Sequence, residues 1–137
     1  MRIPKIILCF LCLIYPILIG IFVGTEKGLS LLSGTEYEPL FIFINACTSF
    51  FFFSYKRITL KVMSVCLLLL TCFSTHLFPV LHNFFAVLFF LVAVYELKNW
   101  KIFLLSLLFL VFGNIFFFES FLIAILAVHN LKLLRLF

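Results

Sequence analysis

The chain alternates between long apolar segments and short clusters of positive charge. Lys and Arg interrupt it at Arg2/Lys5, Lys56/Arg57/Lys61, Lys98/Lys101 and Lys132/Arg135, and Lys27 alone lies elsewhere. Polytopic membrane proteins produce such a pattern when their cytoplasmic turns contain cations and their outer turns lack them. The pattern therefore predicts a helical membrane protein whose apolar segments cross the bilayer out and back.

The apolar segments have lengths suited to transmembrane helices. We predict six of them, at about 6–23, 40–55, 58–78, 82–97, 102–112 and 115–131. At 1.5 Å per residue, the first segment is about 27 Å long, which is enough for the hydrocarbon core of a bilayer. The expected fold is an all-α, polytopic transmembrane bundle that forms one domain over residues 1–137, with both termini in the cytoplasm.

The last apolar stretch has two interpretations. Residues 102–128 form either one long tilted helix, which gives five spans, or a hairpin that turns at Gly113 and Asn114. The hairpin requires a fifth helix of about 12 residues, only about 18 Å long, which needs a locally thinner bilayer or cover from protein. It also places every cation except Lys27 inside and every acid except Glu96 outside. For this reason we favour six segments.

The composition points to the same class of protein. Of the residues, 66% are apolar, 20% are aromatic and 11% are charged, and the net charge is +5. Soluble domains contain about 25% charged residues, so this chain has too few to cover a water-exposed surface. No basic face with interleaved aromatic residues is present to follow a phosphate backbone, which argues against nucleic-acid binding. Membrane lipids are the expected partners of the cations. The dense positive-inside pattern indicates a bacterial cytoplasmic (inner) membrane, and the alternative is an organelle-encoded subunit with the same composition.

Small and weakly polar side chains form stripes along the predicted helices. Asn45, Thr48 and Ser49 share one side of the second segment, and Ser64, Thr71 and Thr75 align on the third. In lipid, such stripes pack helices against one another, while larger apolar side chains face the acyl chains. We predict that these six residues form a helix-packing polar stripe, and that the 22 Phe residues mostly face lipid or fill packing space.

Glu119 is the main candidate for a functional side chain. It lies about one turn into the sixth segment, and an ionisable group at membrane depth is a functional hypothesis by default. In the six-segment topology it shares the outer end with His76, His82 and Asn114. Two imidazoles and a carboxylate there could bind a metal ion or relay a proton. The structural alternative is that Glu119 is hydrated at the interface or bonds to Asn114.

No metal site, cofactor or enzymatic activity is expected. The spacing of the histidines matches no recognised metal motif, and His76 and His82 flank one tight turn rather than facing each other as haem ligands. The chain contains no Asp, which excludes Ser-His-Asp and aspartate-based phosphoryl chemistry, and it lacks phosphate-loop and nucleophile-elbow motifs. Cys9 and Cys12 lie inside an apolar helix, where Cys behaves as a small hydrophobe. Glu96 is interpreted as an ion pair at the inner interface, where such pairs contribute little.

Residues 77–97 resemble part of a known membrane-protein family. The passage Leu-Phe-Pro-Val-Leu-His-Asn-Phe-Phe-Ala-Val-Leu-Phe-Phe is similar to the Phe-Pro … His-x-x-x-Ala-x-x-Phe-Phe passage of six-helix proteins in the DRAM and FGF-receptor-activating-protein superfamily. On that resemblance His82 and Ala86 are matched positions, and Glu119 takes the place of the Glu that often begins the last helix. The resemblance implies a six-helix membrane fold and no defined chemistry.

We predict a small, non-enzymatic integral membrane protein that acts through helix–helix contacts. It would be an accessory protein or subunit of a membrane assembly, with other membrane proteins or further copies of itself as partners. The alternative is a small oligomeric transporter or channel whose outer vestibule is lined by Glu119, His76 and His82. A transporter needs polar residues near mid-membrane on facing helices. The nearest candidates, Asn45, Thr48 and Thr71, are uncharged, which favours the accessory protein.

Overall fold

The structure, a computed structural model, describes residues 2–24, 28–32, 34–98, 100–111 and 115–133. Within these ranges all regular structure is helical, which confirms the predicted all-α class for this part of the chain. The α-helices are α1 (Arg2–Phe22), α2 (Glu38–Phe53), α3 (Ile58–Cys72), α4 (Pro79–Leu97), α5 (Trp100–Val111) and α6 (Ile115–Leu133), and a single 3₁₀ turn spans Leu29–Leu32.

Three helices in the described ranges are long and apolar enough to cross a membrane. They are Ile3–Phe22, Pro79–Leu97 and Ile115–Leu133, with mean hydropathies of 2.5, 2.0 and 1.6. The helices α2 and α3 are apolar but shorter, with 16 and 15 residues, and α5 has 12 residues. These lengths and compositions are consistent with an integral membrane protein. The six-span topology and the cytoplasmic termini stay predictions.

The chain divides into two compact units. Unit 1 comprises Met1–Leu29 and Asn99–Phe137, and unit 2 comprises Ser30–Lys98. The prediction of one domain over residues 1–137, made from the absence of a linker, stays a prediction.

In unit 1, α6 packs against both α1 and α5. The helices α5 and α6 are separate elements that contact each other, and the hairpin across the membrane stays a prediction. The predicted turn residues Gly113 and Asn114 lie outside the described residues.

The helix α1 has one buried face and one exposed face. Cys9, Cys12, Tyr15 and Ile19 are buried, and their spacing of three or four residues places them on one side of a helix. The other side is apolar but exposed, with Ile14, Ile17, Leu18 and Ile21 among its residues. Exposed apolar surface on this scale suits a lipid or protein environment rather than water.

In unit 2, α3 is the central helix and packs against both α2 and α4. Its buried residues include Leu60, Met63 and Ser64. Proline defines where the neighbouring helices begin: Pro79 is the first residue of α4, and Pro39 is the second residue of α2. Proline suits the first helical turn because its fixed φ matches a helix and its missing N–H is not needed there.

The third predicted segment is the one whose boundary differs most from the structure. We predicted 58–78, but α3 ends at Cys72, and the chain turns before α4 begins. Within the turn, the Phe78 N–H donates to the Ser74 carbonyl over 2.9 Å, and the Phe73 ring contacts the Phe78 ring. Thr75 consequently lies in the turn, and the prediction that it aligns with Ser64 and Thr71 on one helix is wrong.

Candidate functional site

Glu119 lies in the second turn of α6 and is half-buried. Gly28, from the same unit, lies directly against it. A Cβ atom added to Gly28 would lie 2.9 Å from Glu119 Oε2 and 2.7 Å from Ile115 Cγ2. Both distances are shorter than ordinary van der Waals contact, so this close approach of backbone to side chain requires glycine. Sequence reasoning did not single out Gly28, because nothing along the chain indicates which helix it approaches.

Tyr15 of α1 is a second neighbour of Glu119. The two side chains are close enough to interact electrostatically. Tyr15 is buried, and within the described part of the chain its hydroxyl has no hydrogen-bond partner. Buried hydroxyl groups without a partner are uncommon in native structures. Gly28, Ile115 and Tyr15 are therefore neighbours of Glu119.

His82 is buried in α4 and binds the backbone at the end of α3. Its Nδ1 atom lies 2.8 Å from the Phe73 carbonyl oxygen and 3.1 Å from the Leu70 carbonyl oxygen. Since both carbonyls only accept hydrogen bonds, Nδ1 must be the protonated nitrogen. The last carbonyls of a helix lack partners within it, so His82 supplies the donor that lets α3 end at Cys72.

His76 lies in the turn between α3 and α4 and is exposed. It packs against Gly34, whose φ of +79° favours glycine. His76 and His82 belong to unit 2 and Glu119 to unit 1, while Asn114 is outside the described residues. Among the residues that the structure describes, no group of three or more His, Cys, Asp or Glu side chains is placed to hold a metal ion.

Two members of the predicted polar stripe bond across a helix interface. Ser49 on α2 donates its hydroxyl to the Ser64 carbonyl on α3 over 2.8 Å, and the two hydroxyl oxygens are 2.9 Å apart. Both residues are buried. Thr71 instead donates to the Leu67 carbonyl of its own helix over 2.8 Å. Asn45 and Thr48 are half-buried on α2.

An ion pair with a buried carboxylate joins two helices of unit 2. Arg57 Nη1 lies 3.0 Å from Glu96 Oε1, and the Glu96 side chain is only 1% exposed, against 42% for Arg57. Thr59 donates its hydroxyl to the other carboxylate oxygen. These residues join the start of α3 to the end of α4. We interpreted Glu96 as part of an interface ion pair that contributes little to stability. The sequence does not show that Glu96 is buried, and this burial raises the cost of removing either partner.

Three further cations lie within four residues of this ion pair in the sequence. Lys56 and Lys98 are exposed neighbours in sequence of Arg57 and Glu96, and the Lys61 ammonium lies 5.5 Å from the centre of the Phe53 ring. We call Lys56, Arg57, Lys61 and Lys98 the cation cluster. Lys98 has a φ of +52°, and no other non-glycine residue of the described chain has a positive φ.

We expect Gly28→Ala to lower the free energy of unfolding by about 1–3 kcal/mol, the usual cost of overpacking. The new Cβ would displace Ile115 and Glu119 from their present positions. The measurement is denaturant unfolding in detergent micelles. Gly28→Ala/Ile115→Ala should recover part of the loss, because Ile115 is exposed and its own truncation costs little. An unchanged stability of the single variant would contradict the close packing of Gly28.

The functional interpretation depends on this chain's own geometry. The resemblance of residues 77–97 to a six-helix superfamily stays a prediction. No protein-family model, curated protein or solved structure matches the chain.

Proposed function

We propose that the protein is a small, non-enzymatic integral membrane protein that acts as an accessory protein or subunit through helix–helix contacts. In this proposal it has six membrane segments with both termini in the cytoplasm of a bacterium. The observation on which the proposal depends is an exposed stripe on α2, formed by Phe43, Ala46, Phe50 and Phe53, which we call the Phe stripe.

The spacing of the Phe stripe suits a partner helix. Its residues follow one another at intervals of three, four and three, which is the spacing at which one helix packs along another. Ala46 is small enough to allow a close approach of backbones, and small residues are enriched where membrane helices meet. The three Phe side chains flanking it are all more than half exposed, so a partner helix could bury a large aromatic area.

The polar side chains of unit 2 support the same proposal. Ser49, His82 and Glu96 are each buried and each bond within the unit. They contribute to its internal packing rather than to a polar path for a solute. The outer faces that remain are mostly apolar, and a partner helix or lipid is what such a face contacts.

Photo-crosslinking tests the proposal. We expect p-benzoylphenylalanine at Phe50 to give a protein adduct of defined mass in native membranes, because a partner helix covers that position. The matched control is the same substitution at Phe84, an exposed Phe on α4, which should give lipid adducts only. The same adduct in liposomes of the purified protein would indicate a homo-oligomer and contradict the subunit proposal, as would lipid adducts alone at both positions.

The alternative function, a small oligomeric transporter or channel, draws support from unit 1. The buried Tyr15 hydroxyl next to Glu119 is a polar feature that helix packing alone does not require. The position of His82 argues against the vestibule, because its Nδ1 is hydrogen-bonded to the backbone. Ion flux into liposomes that contain the wild type, together with no flux into liposomes that contain Glu119→Gln, would favour the transporter. Equal flux for both would count against it.

A further inference from the structure

We propose that the cation cluster of unit 2 binds the phosphate group of an anionic phospholipid, with Arg57 as the central ligand. This inference is independent of the subunit proposal, since a transporter would bind lipid at the same place.

The Arg57 guanidinium is fixed by its ion pair and can still donate hydrogen bonds to a second acceptor. A guanidinium has five N–H donors in a rigid, planar arrangement, and the bond to Glu96 is made through Nη1. Glu96 is itself fixed by the Thr59 hydroxyl. Because the Arg57 side chain is 42% exposed, donors remain accessible outside the ion pair. A planar, pre-positioned guanidinium is well suited to bind two phosphate oxygens at once.

The charge around Arg57 is complementary to an anion. The cluster has four cations, and within the described ranges Glu96 is the one carboxylate paired with it, so a net positive charge remains after the ion pair forms. Lys56, which precedes Arg57, and Lys98, two residues after Glu96, are both exposed. The positive-inside rule assigns these residues to the cytoplasmic face, where anionic lipids attract cations that lie close to the membrane surface.

Exposed apolar side chains adjoin the cluster and favour a lipid over a free phosphate ion. Ile58 follows Arg57 directly, Tyr95 precedes Glu96, and both are about 70% exposed. Phe53 lies under the Lys61 ammonium. Tyrosine is enriched at the level of the headgroups, and Ile58 offers contact to acyl chains. A soluble anion would gain nothing from these neighbours.

Native mass spectrometry of the purified protein tests the inference. The full chain is incubated with an equimolar mixture of phosphatidylglycerol and phosphatidylcholine, and the ratio of the two bound lipids is measured. We expect the wild type to favour phosphatidylglycerol. Lys56→Gln and Lys98→Asn should each reduce that preference about fivefold, the effect of one cation near an anionic surface. Asn is chosen at position 98 because it tolerates a positive φ.

The variants leave the Arg57–Glu96 pair intact, so the protein should remain folded, and its unfolding midpoint is measured in the same detergent. Lys132→Gln, which removes an exposed cation from unit 1, is the matched control and should keep the preference. The inference is overturned if the wild type has no preference, if Lys132→Gln reduces it equally, or if inorganic phosphate at the lipid concentration displaces the bound lipid. It is also overturned if Lys56→Gln/Lys98→Asn folds and binds phosphatidylglycerol as the wild type does.

Discussion

Arg57→Met is expected to lower the free energy of unfolding by about 2–3 kcal/mol. Removing one partner of a buried pair typically costs about 3–5 kcal/mol because the remaining charge is left uncompensated. The effect should be smaller here, since Arg57 is partly exposed while Glu96 is almost completely buried. Titration of the protein from mild detergent into sodium dodecyl sulfate, followed by circular dichroism, measures the change.

Two variants separate the ion pair from general effects of charge. Lys56→Met removes the adjacent, exposed cation and should change the stability by less than about 0.5 kcal/mol. Arg57→Met/Glu96→Leu removes both charges and should recover most of the stability, because apolar replacements of a whole buried pair are often neutral. If Arg57→Met and Lys56→Met have equal effects, the pair does not stabilise the fold.

His82→Leu is expected to cost about 2–3 kcal/mol. The substitution keeps a side chain of comparable size but removes the donor shared by the Leu70 and Phe73 carbonyls. A buried acceptor left without a partner costs about 1–3 kcal/mol. Exchange of the Phe73 amide hydrogen should accelerate as well, because this N–H bonds to the Leu69 carbonyl in the last turn of α3 and reports local opening.

The matched variant is His82→Asn. Its amide nitrogen is attached to Cγ, as Nδ1 is in histidine, so a donor can reach the same carbonyls. We expect Asn to preserve slow exchange at Phe73 and to lose less stability than Leu. Equal losses for the two variants would mean that His82 acts through its volume rather than through the hydrogen bond.

The hydrophobic pattern predicted helices well where nothing but apolar length decides their boundaries. The sixth segment, predicted at 115–131, begins where α6 begins and ends two residues before it. The third segment was predicted too long at its end, where His82 on the next helix bonds to the Leu70 and Phe73 carbonyls. Residues 73–78, Phe-Ser-Thr-His-Leu-Phe, contain no sign of that bond. The involvement of Ser49 and Ser64 in a helix interface could be predicted from the sequence, since small polar residues at helical spacing indicate an interface.

The candidate site was less predictable than the fold. Glu119 was identified as an ionisable residue in an apolar segment, but its neighbours Gly28 and Tyr15 are far from it in sequence. Glu96 was identified as well, but its contribution to stability was underestimated because its partner is also far away in the sequence. Its partner Arg57 is 39 positions away, and the burial of the carboxylate depends on how α3 and α4 pack. A charged residue's effect on stability depends on this burial, which a linear pattern does not contain.

The five cysteines of the chain provide a built-in reporter of opening. All five are free thiols, with Cys72 exposed at the end of α3, Cys47 intermediate, and Cys9, Cys12 and Cys66 buried. A thiol-reactive reagent should therefore modify Cys72 first and reach the others only as their helices separate. Since Cys9 and Cys12 are in unit 1 and Cys66 is in unit 2, the order of modification would reveal which unit comes apart first, without any introduced label.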